Sequence, residues 1–134
     1  MKSRLLLASV IVFFMSCKKD EPSPTMTEEP AFTFQFTQGK NFQALKKSLE
    51  FEAGTKLKGY DDKILFLNEE LPDSLYTFQT EGAPQKFKVT LHVSDNGTQD
   101  YTQFKFRVLK KGKQVLNMSH VASGAAEKSF VVDL

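Results

Sequence analysis

Phe32-Thr33-Phe34-Gln35-Phe36-Thr37 sets apolar and polar side chains in strict alternation, which predicts a strand with one buried face. The rhythm returns over Ser48–Ala53, where Leu49, Phe51 and Ala53 share a side until Gly54 stops the run. Lys63–Leu67 is apolar without interruption after its first residue, which predicts a strand buried on both sides or a hairpin crossing the core. Leu75–Thr80 reads as a short strand. The pattern is clearest over Lys86–Ser94, with Phe87, Val89, Leu91 and Val93 inward and Lys88, Thr90, His92 and Ser94 outward. Asp95-Asn96-Gly97-Thr98 reads as a turn, since Asn and Gly accept a positive φ. Thr102–Leu109 then turns Phe104, Phe106 and Val108 inward, and Gly112 marks another turn. Gln114–Asn117 is a short strand, Asn117–Lys128 a loose connection, and Ser129–Leu134 the closing strand. Asn41 stands where it would cap a helix of at most two turns within residues 41–48, because Phe42, Leu45 and Leu49 fall at helical spacing.

Short strands separated by regular turn signals predict an all-β fold, an immunoglobulin-like antiparallel β-sandwich with one wet sheet face. The chain has 13 phenylalanines and no tryptophan, so phenylalanine must supply the bulk of the core.

The first residues follow a different rule. A basic start (Lys2, Arg4) leads into the uncharged stretch Leu5–Met15, and Ser16 precedes the single cysteine, Cys17. As a helix that stretch rises about 16 Å, against roughly 30 Å for a bilayer core. It therefore reads as a secretory signal rather than a membrane span. Ser16-Cys17 after such a run resembles the lipobox of bacterial lipoproteins, and the resemblance implies cleavage behind Ser16 and acylation of the Cys17 sulfur. The run Cys17-Lys18-Lys19-Asp20-Glu21 also resembles the surface-export signal of lipoproteins from the Bacteroidetes group. Each buried methylene contributes about 0.8 kcal/mol, so one acyl chain holds marginally and two or more hold stably.

Without residues 1–16 the chain loses Lys2 and Arg4 and no acid, so its formal charge falls from +2 to zero. No basic field remains to attract nucleic acid; Lys110, Lys111 and Lys113 around Gly112 read as a solvated hairpin tip. Lys18–Pro30 holds three prolines, several acids and one large apolar side chain, Met26, too little to offset the entropy of ordering. Three segments follow: a lipoprotein signal over 1–16, a lipidated cysteine and extended tether over 17–30, and a sandwich over 31–134.

Lys86 to Gly97, with Glu81-Gly82 just ahead, resembles the penultimate strand and turn of PKD-type domains, an immunoglobulin-like family common on bacterial surfaces. The same stretch through Gln99 is similar to small TraQ-like lipoproteins of conjugative transposons. Both resemblances imply an immunoglobulin-like fold and neither carries a catalytic residue.

Chemistry is sparse. His92 and His120, the only histidines, read as exposed surface residues. No metal-ligand spacing, phosphate loop or nucleophile elbow occurs, so neither cofactor nor metal nor catalysis is expected. Asp61-Asp62, and Asp95 with Asn96 and Asp100, offer oxygens at loop ends but read better as turns using Asx chemistry than as calcium loops. Asp73-Ser74-Leu75 resembles the O-glycosylation triplet of exported Bacteroidetes proteins, which makes Ser74 a modification candidate. Tyr60, Tyr76 and Tyr101 fall near predicted strand ends, where contact residues concentrate; sheet-edge packing is the competing reading of each. The expectation is an outer-membrane lipoprotein, anchored through acyl chains on Cys17 and facing outward, whose non-catalytic sandwich binds protein or glycan. The alternative is an accessory component of a conjugation or secretion apparatus.

Overall fold

A computed structural model describes residues 29–134 of the chain; the signal, Cys17 and all of the tether except Glu29 and Pro30 lie outside those residues. Eight strands form two antiparallel sheets: β1 (Phe32–Gln38), β2 (Lys47–Phe51), β3 (Leu65–Phe66), β4 (Leu75–Gln79), β5 (Lys88–Val93), β6 (Tyr101–Lys110), β7 (Lys113–Ser123) and β8 (Lys128–Asp133). One sheet runs β4-β1-β6-β7 and the other β3-β2-β5-β8. The fold is the expected all-β sandwich. The pairings β1–β4 and β2–β5–β8 follow the B–E and C–F–G neighbours of an immunoglobulin sandwich, while β6 reaches the place of strand A from late in the chain.

Alternation makes the core. Phe32, Phe34 and Phe36 of β1 face Phe104, Phe106 and Val108 of β6 within their sheet, and Leu49, Phe51, Val89, Leu91 and Val93 come from the other. Phe34 sits at the centre, with ring centroids 5.9 Å from Phe51, 6.3 Å from Phe78, 5.8 Å from Phe87 and 5.9 Å from Phe106. The β6–β7 hairpin turns on Lys111 (φ 47°) and Gly112 (φ 72°), the two left-handed residues that match the twist of its strands.

Four expectations need correction. The helix proposed over 41–48 is a single 3₁₀ turn, Phe42–Ala44: Asn41 takes φ 63° and makes no capping bond, and β2 has begun by Lys47. The apolar run at 63–67 yields only the two-residue β3, and Leu65 and Leu67 are exposed rather than buried on both sides. β7 continues to Ser123, so the loose connection assigned from Asn117 is mostly strand. Its inward positions Leu116, Met118, His120 and Ala122 alternate with Asn117, Ser119 and Val121, and an inward histidine beside an outward valine gives that rhythm too little contrast to be read. The Asp95–Thr98 turn forms without the positive φ expected to suit Asn96. It carries the chain from β5 in one sheet to β6 in the other, and only Gly97 takes a positive φ there.

Candidate functional site

The open end of β6 carries a surface depression. After β1 the chain stays against β6: the Gly39 N–H donates to the Gln103 carbonyl at 2.8 Å. A Cβ at Gly39 would stand 2.9 Å from that oxygen and 3.3 Å from Thr102 Oγ1, so glycine is what permits the approach. Asn41 then turns the chain through its left-handed conformation, and the Asn96 side-chain amide pins the following turn by donating to the Ala44 carbonyl at 2.7 Å. A depression of about 330 Å³ results, lined by Gly39, Lys40, Asn41, Tyr101, Thr102, Gln103 and Val121.

Tyr101 is 66% exposed at its rim. Thr102, in its lining, is 2% exposed, and its hydroxyl oxygen has no hydrogen-bond partner. A buried unpaired hydroxyl costs about 1–3 kcal/mol in desolvation. A bare aromatic face beside side-chain amides and a lysine suits a polyhydroxylated or peptide ligand.

The other two tyrosines sit elsewhere. Tyr60 packs edge-on against Phe66, centroids 5.0 Å apart, and 5.7 Å from Phe78. Tyr76 of β4 points inward at the sheet edge, stacked on Phe36 at 6.4 Å and Phe78 at 6.1 Å, while its hydroxyl accepts from the Asp73 N–H at 2.6 Å. Burial raises its pKa above the ordinary value; the Asp73 N–H opposes that and the Asp73 carboxylate adds to it. Tyr60 and Tyr76 thus share Phe78, whereas Tyr101 stands two strands away on β6, so the three do not form one patch. Ser74 is exposed in the loop before β4, where its carbonyl accepts from the Gln38 N–H at 2.8 Å.

The acidic loops are occupied by their own chemistry. Asp95 Oδ1 accepts from the Gly97 N–H at 3.1 Å, Asn96 Oδ1 from the Thr98 N–H at 3.3 Å, and Asp100 Oδ2 from the Thr98 hydroxyl at 2.8 Å. Asp61 and Asp62 line a cleft of about 220 Å³ together with Glu81, Tyr60 and Lys56. Among the described residues no group of three or more His, Cys, Asp or Glu is placed to hold a metal.

His92 stands on the outer face of β5 as expected, with Nδ1 2.9 Å from Ser129 Oγ and Nε2 3.4 Å from the Glu50 carboxylate. His120 does not lie exposed in a loop. It is half-buried on β7, stacked 4.5 Å from Phe130 and 5.7 Å from Phe106, because β7 extends through it.

Lys47 is the charged residue that pattern reading missed. It points inward from β2 and is 4% exposed; its ammonium donates to the Phe42 carbonyl (3.1 Å), the Leu45 carbonyl (3.4 Å) and Asn68 Oδ1 (3.2 Å), 5.3 Å from the Phe42 ring centroid. All three donors are engaged, so Lys47 ties the Phe42–Ala44 turn and the Asn68 turn to β2. Burial without a carboxylate lowers its pKa from 10.5 to about 8. Between those values the unfolded chain holds a proton that the folded chain does not. Stability therefore rises with pH across that window and is lost as pH falls through 8. The full separation corresponds to about 3 kcal/mol, which water at the cleft mouth reduces to about 1–2 kcal/mol. Urea unfolding at pH 7.5, 9 and 10.5 checks this: K47M should flatten the slope, and equal slopes in both proteins would overturn it.

No protein-family model matches the chain, and no curated protein is significantly similar to it. A solved structure is similar: the NMR structure of the calcium-bound form of a protein from Parabacteroides distasonis, with TM-score 0.60 and 23% sequence identity, over 84% of this chain and 98% of that one. At that identity the likeness establishes a shared fold.

Proposed function

We propose that the chain is a surface lipoprotein of the outer membrane whose sandwich binds a glycan or protein, without catalysis, at the Tyr101 depression. The observation that carries this reading is the depression beside β6, rimmed by the exposed Tyr101 and flanked by Gln103, Lys40 and Asn41. A ligand's apolar face would cover the Tyr101 ring while its polar groups meet the Gln103 and Asn41 side chains. The sequence supports delivery to the surface: signal, Cys17 and a proline-rich tether precede the first strand.

Glycan-array and calorimetric titrations of the full chain test the reading. Tyr101→Ala should lower affinity for any bound glycan or peptide at least about tenfold, the order expected for losing one aromatic contact. Tyr60→Ala should leave binding unchanged. Binding that survives Tyr101→Ala intact would move the site elsewhere.

Two further readings rest on particular observations. The structural neighbour was solved with calcium bound, and Asp61, Asp62 and Glu81 line one cleft here, not gathered closely enough to hold a metal as they stand and with the Lys56 ammonium opposing a cation among them. Calcium added to the same calorimeter decides it: heat that Asp61→Asn with Asp62→Asn abolishes supports a site there, and no heat removes it. The likeness of Lys86–Gln99 to TraQ-like lipoproteins supports a role in a conjugation or secretion apparatus, which transfer genes beside the coding gene would favour.

A further inference from the structure

We propose that the free edge of β7 pairs with β7 of a second copy, joining two four-stranded sheets into one continuous antiparallel sheet across a two-fold axis at Ser119. Among the described residues β7 is the last strand of its sheet and pairs only with β6. An edge strand is normally blunted by charge, proline, a bulge or brevity. β7 has one irregularity, where Val115 is left without a partner opposite Val108/Leu109, and from there it pairs regularly with β6 from Leu116 to Ser123. From Gln114 to Ser123 it carries no Lys, Arg, Asp, Glu, Pro or Gly.

The other three edges are protected. β3 has two residues, the Lys56–Lys58 segment bonds to the end of β4, and β8 carries Lys128 and Asp133 at its ends. The core is half-open beside β7, where Leu116, Met118, His120 and Phe130 are only partly buried.

The strand is self-complementary. Directly opposed residues of an antiparallel pair share a face. With the axis at Ser119, Leu116 meets the second copy's Ala122 and Met118 meets its His120 on the inner face. Asn117 meets Val121 on the outer face, and Ser119 meets itself. No like charges fall in register. Lys105, which pairs with Ser119, lies one strand in. Its counterpart across the axis would be about 14 Å away, three strand spacings, beyond the screening length of roughly 8–10 Å.

The chain's own leading segment is the poorer occupant. It enters beside the hairpin tip, where the Lys111 N–H donates to the Ala31 carbonyl at 3.1 Å. Its residues include Pro22, Pro24 and Pro30, each lacking the N–H that a ladder needs.

The test uses the full chain with Cys17→Ser, so that an introduced cysteine is the sole thiol. Sedimentation should give twice the 15.2 kDa of one chain. Ser119→Lys opposes two ammonium groups on the axis and should give the single-chain mass with an unchanged far-ultraviolet spectrum. Ser119→Cys should form an interchain disulfide on mild oxidation, since opposed Cα atoms lie about 4.5–5.5 Å apart. Asn117→Cys should not, because its copies would be about 13 Å apart along the strands. A single-chain mass at about 100 μM, a dimer that Ser119→Lys leaves intact, or another protein's strand on β7 of a chain that stays monomeric would each overturn the proposal.

Discussion

Replacing Phe34 by alanine should cost about 3–5 kcal/mol, the range for emptying a buried aromatic site. The ring is 0% exposed and touches four other phenylalanines, two from the facing sheet or its flank (Phe51, Phe87) and two from its own sheet (Phe78, Phe106). Each such pair adds about 0.5–1.5 kcal/mol beyond area burial, so truncation removes both transfer energy and ring contacts. Collapse cannot refill the space, because β1 is hydrogen-bonded on both sides, to β4 and β6. A domain of this size holds about 5–15 kcal/mol in total. F34A should therefore lower the urea midpoint by roughly a fifth or more, followed by tyrosine emission, since there is no tryptophan. F34L, which keeps much of the volume, should cost roughly 1–1.5 kcal/mol. Phe130→Ala, at the half-open margin, should cost less than F34A. An F34A loss below about 1.5 kcal/mol would mean that the two sheets do not pack through this ring.

The centre of the fold was legible because burial there is one-sided and the side chains are unambiguous. β1, β5 and β6 alternate buried and partly exposed positions as their sequences do, with Phe34, Leu91 and Phe106 inward and Gln35, His92 and Arg107 outward. What failed lies at margins. β7 faces the core with Leu116, Met118, His120 and Ala122, a row whose polarity contrast with its neighbours is small, and half-exposure is what the sandwich edge tolerates. Lys47 reads as a surface residue by its type. It is inward because three carbonyl or amide oxygens of two turns, residues 42, 45 and 68, converge on one ammonium, and only the folded chain brings them together. The pairing of β1 with β6, Phe34 opposite Val108, is likewise a long-range choice that local pattern does not encode.

The candidate site was half legible. Tyr101 drew attention as an aromatic at a strand end, and it is the most exposed of the three tyrosines, at 66% against 37% for Tyr60. Its setting was hidden, because the Gly39 approach and the unpaired Thr102 hydroxyl depend on β1 meeting β6. Tyr60 and Tyr76 carried the same signal and are packing residues, since their rings find Phe66 and Phe78.

Cys17→Ser should have the largest effect on where the protein resides. On the proposed reading the sulfur carries the acyl chains, and each methylene they bury contributes about 0.8 kcal/mol. A single chain gives marginal, reversible binding; two or three anchor the protein stably. Serine offers no thioether, so the variant should fall at least about a hundredfold in the outer-membrane fraction, while its sandwich, which begins beyond the tether at Phe32, keeps the same unfolding midpoint. That pairing of outcomes separates anchoring from folding: a destabilised variant would lose both. Intact-mass measurement of the wild-type protein is the stricter check. The chain should begin at Cys17 and carry the mass of a diacylglycerol, with or without one further acyl group. A wild-type chain that keeps residues 1–16, or that shows an unmodified thiol at Cys17, removes the anchor. The Tyr101 depression would then have to be explained without a membrane beneath it.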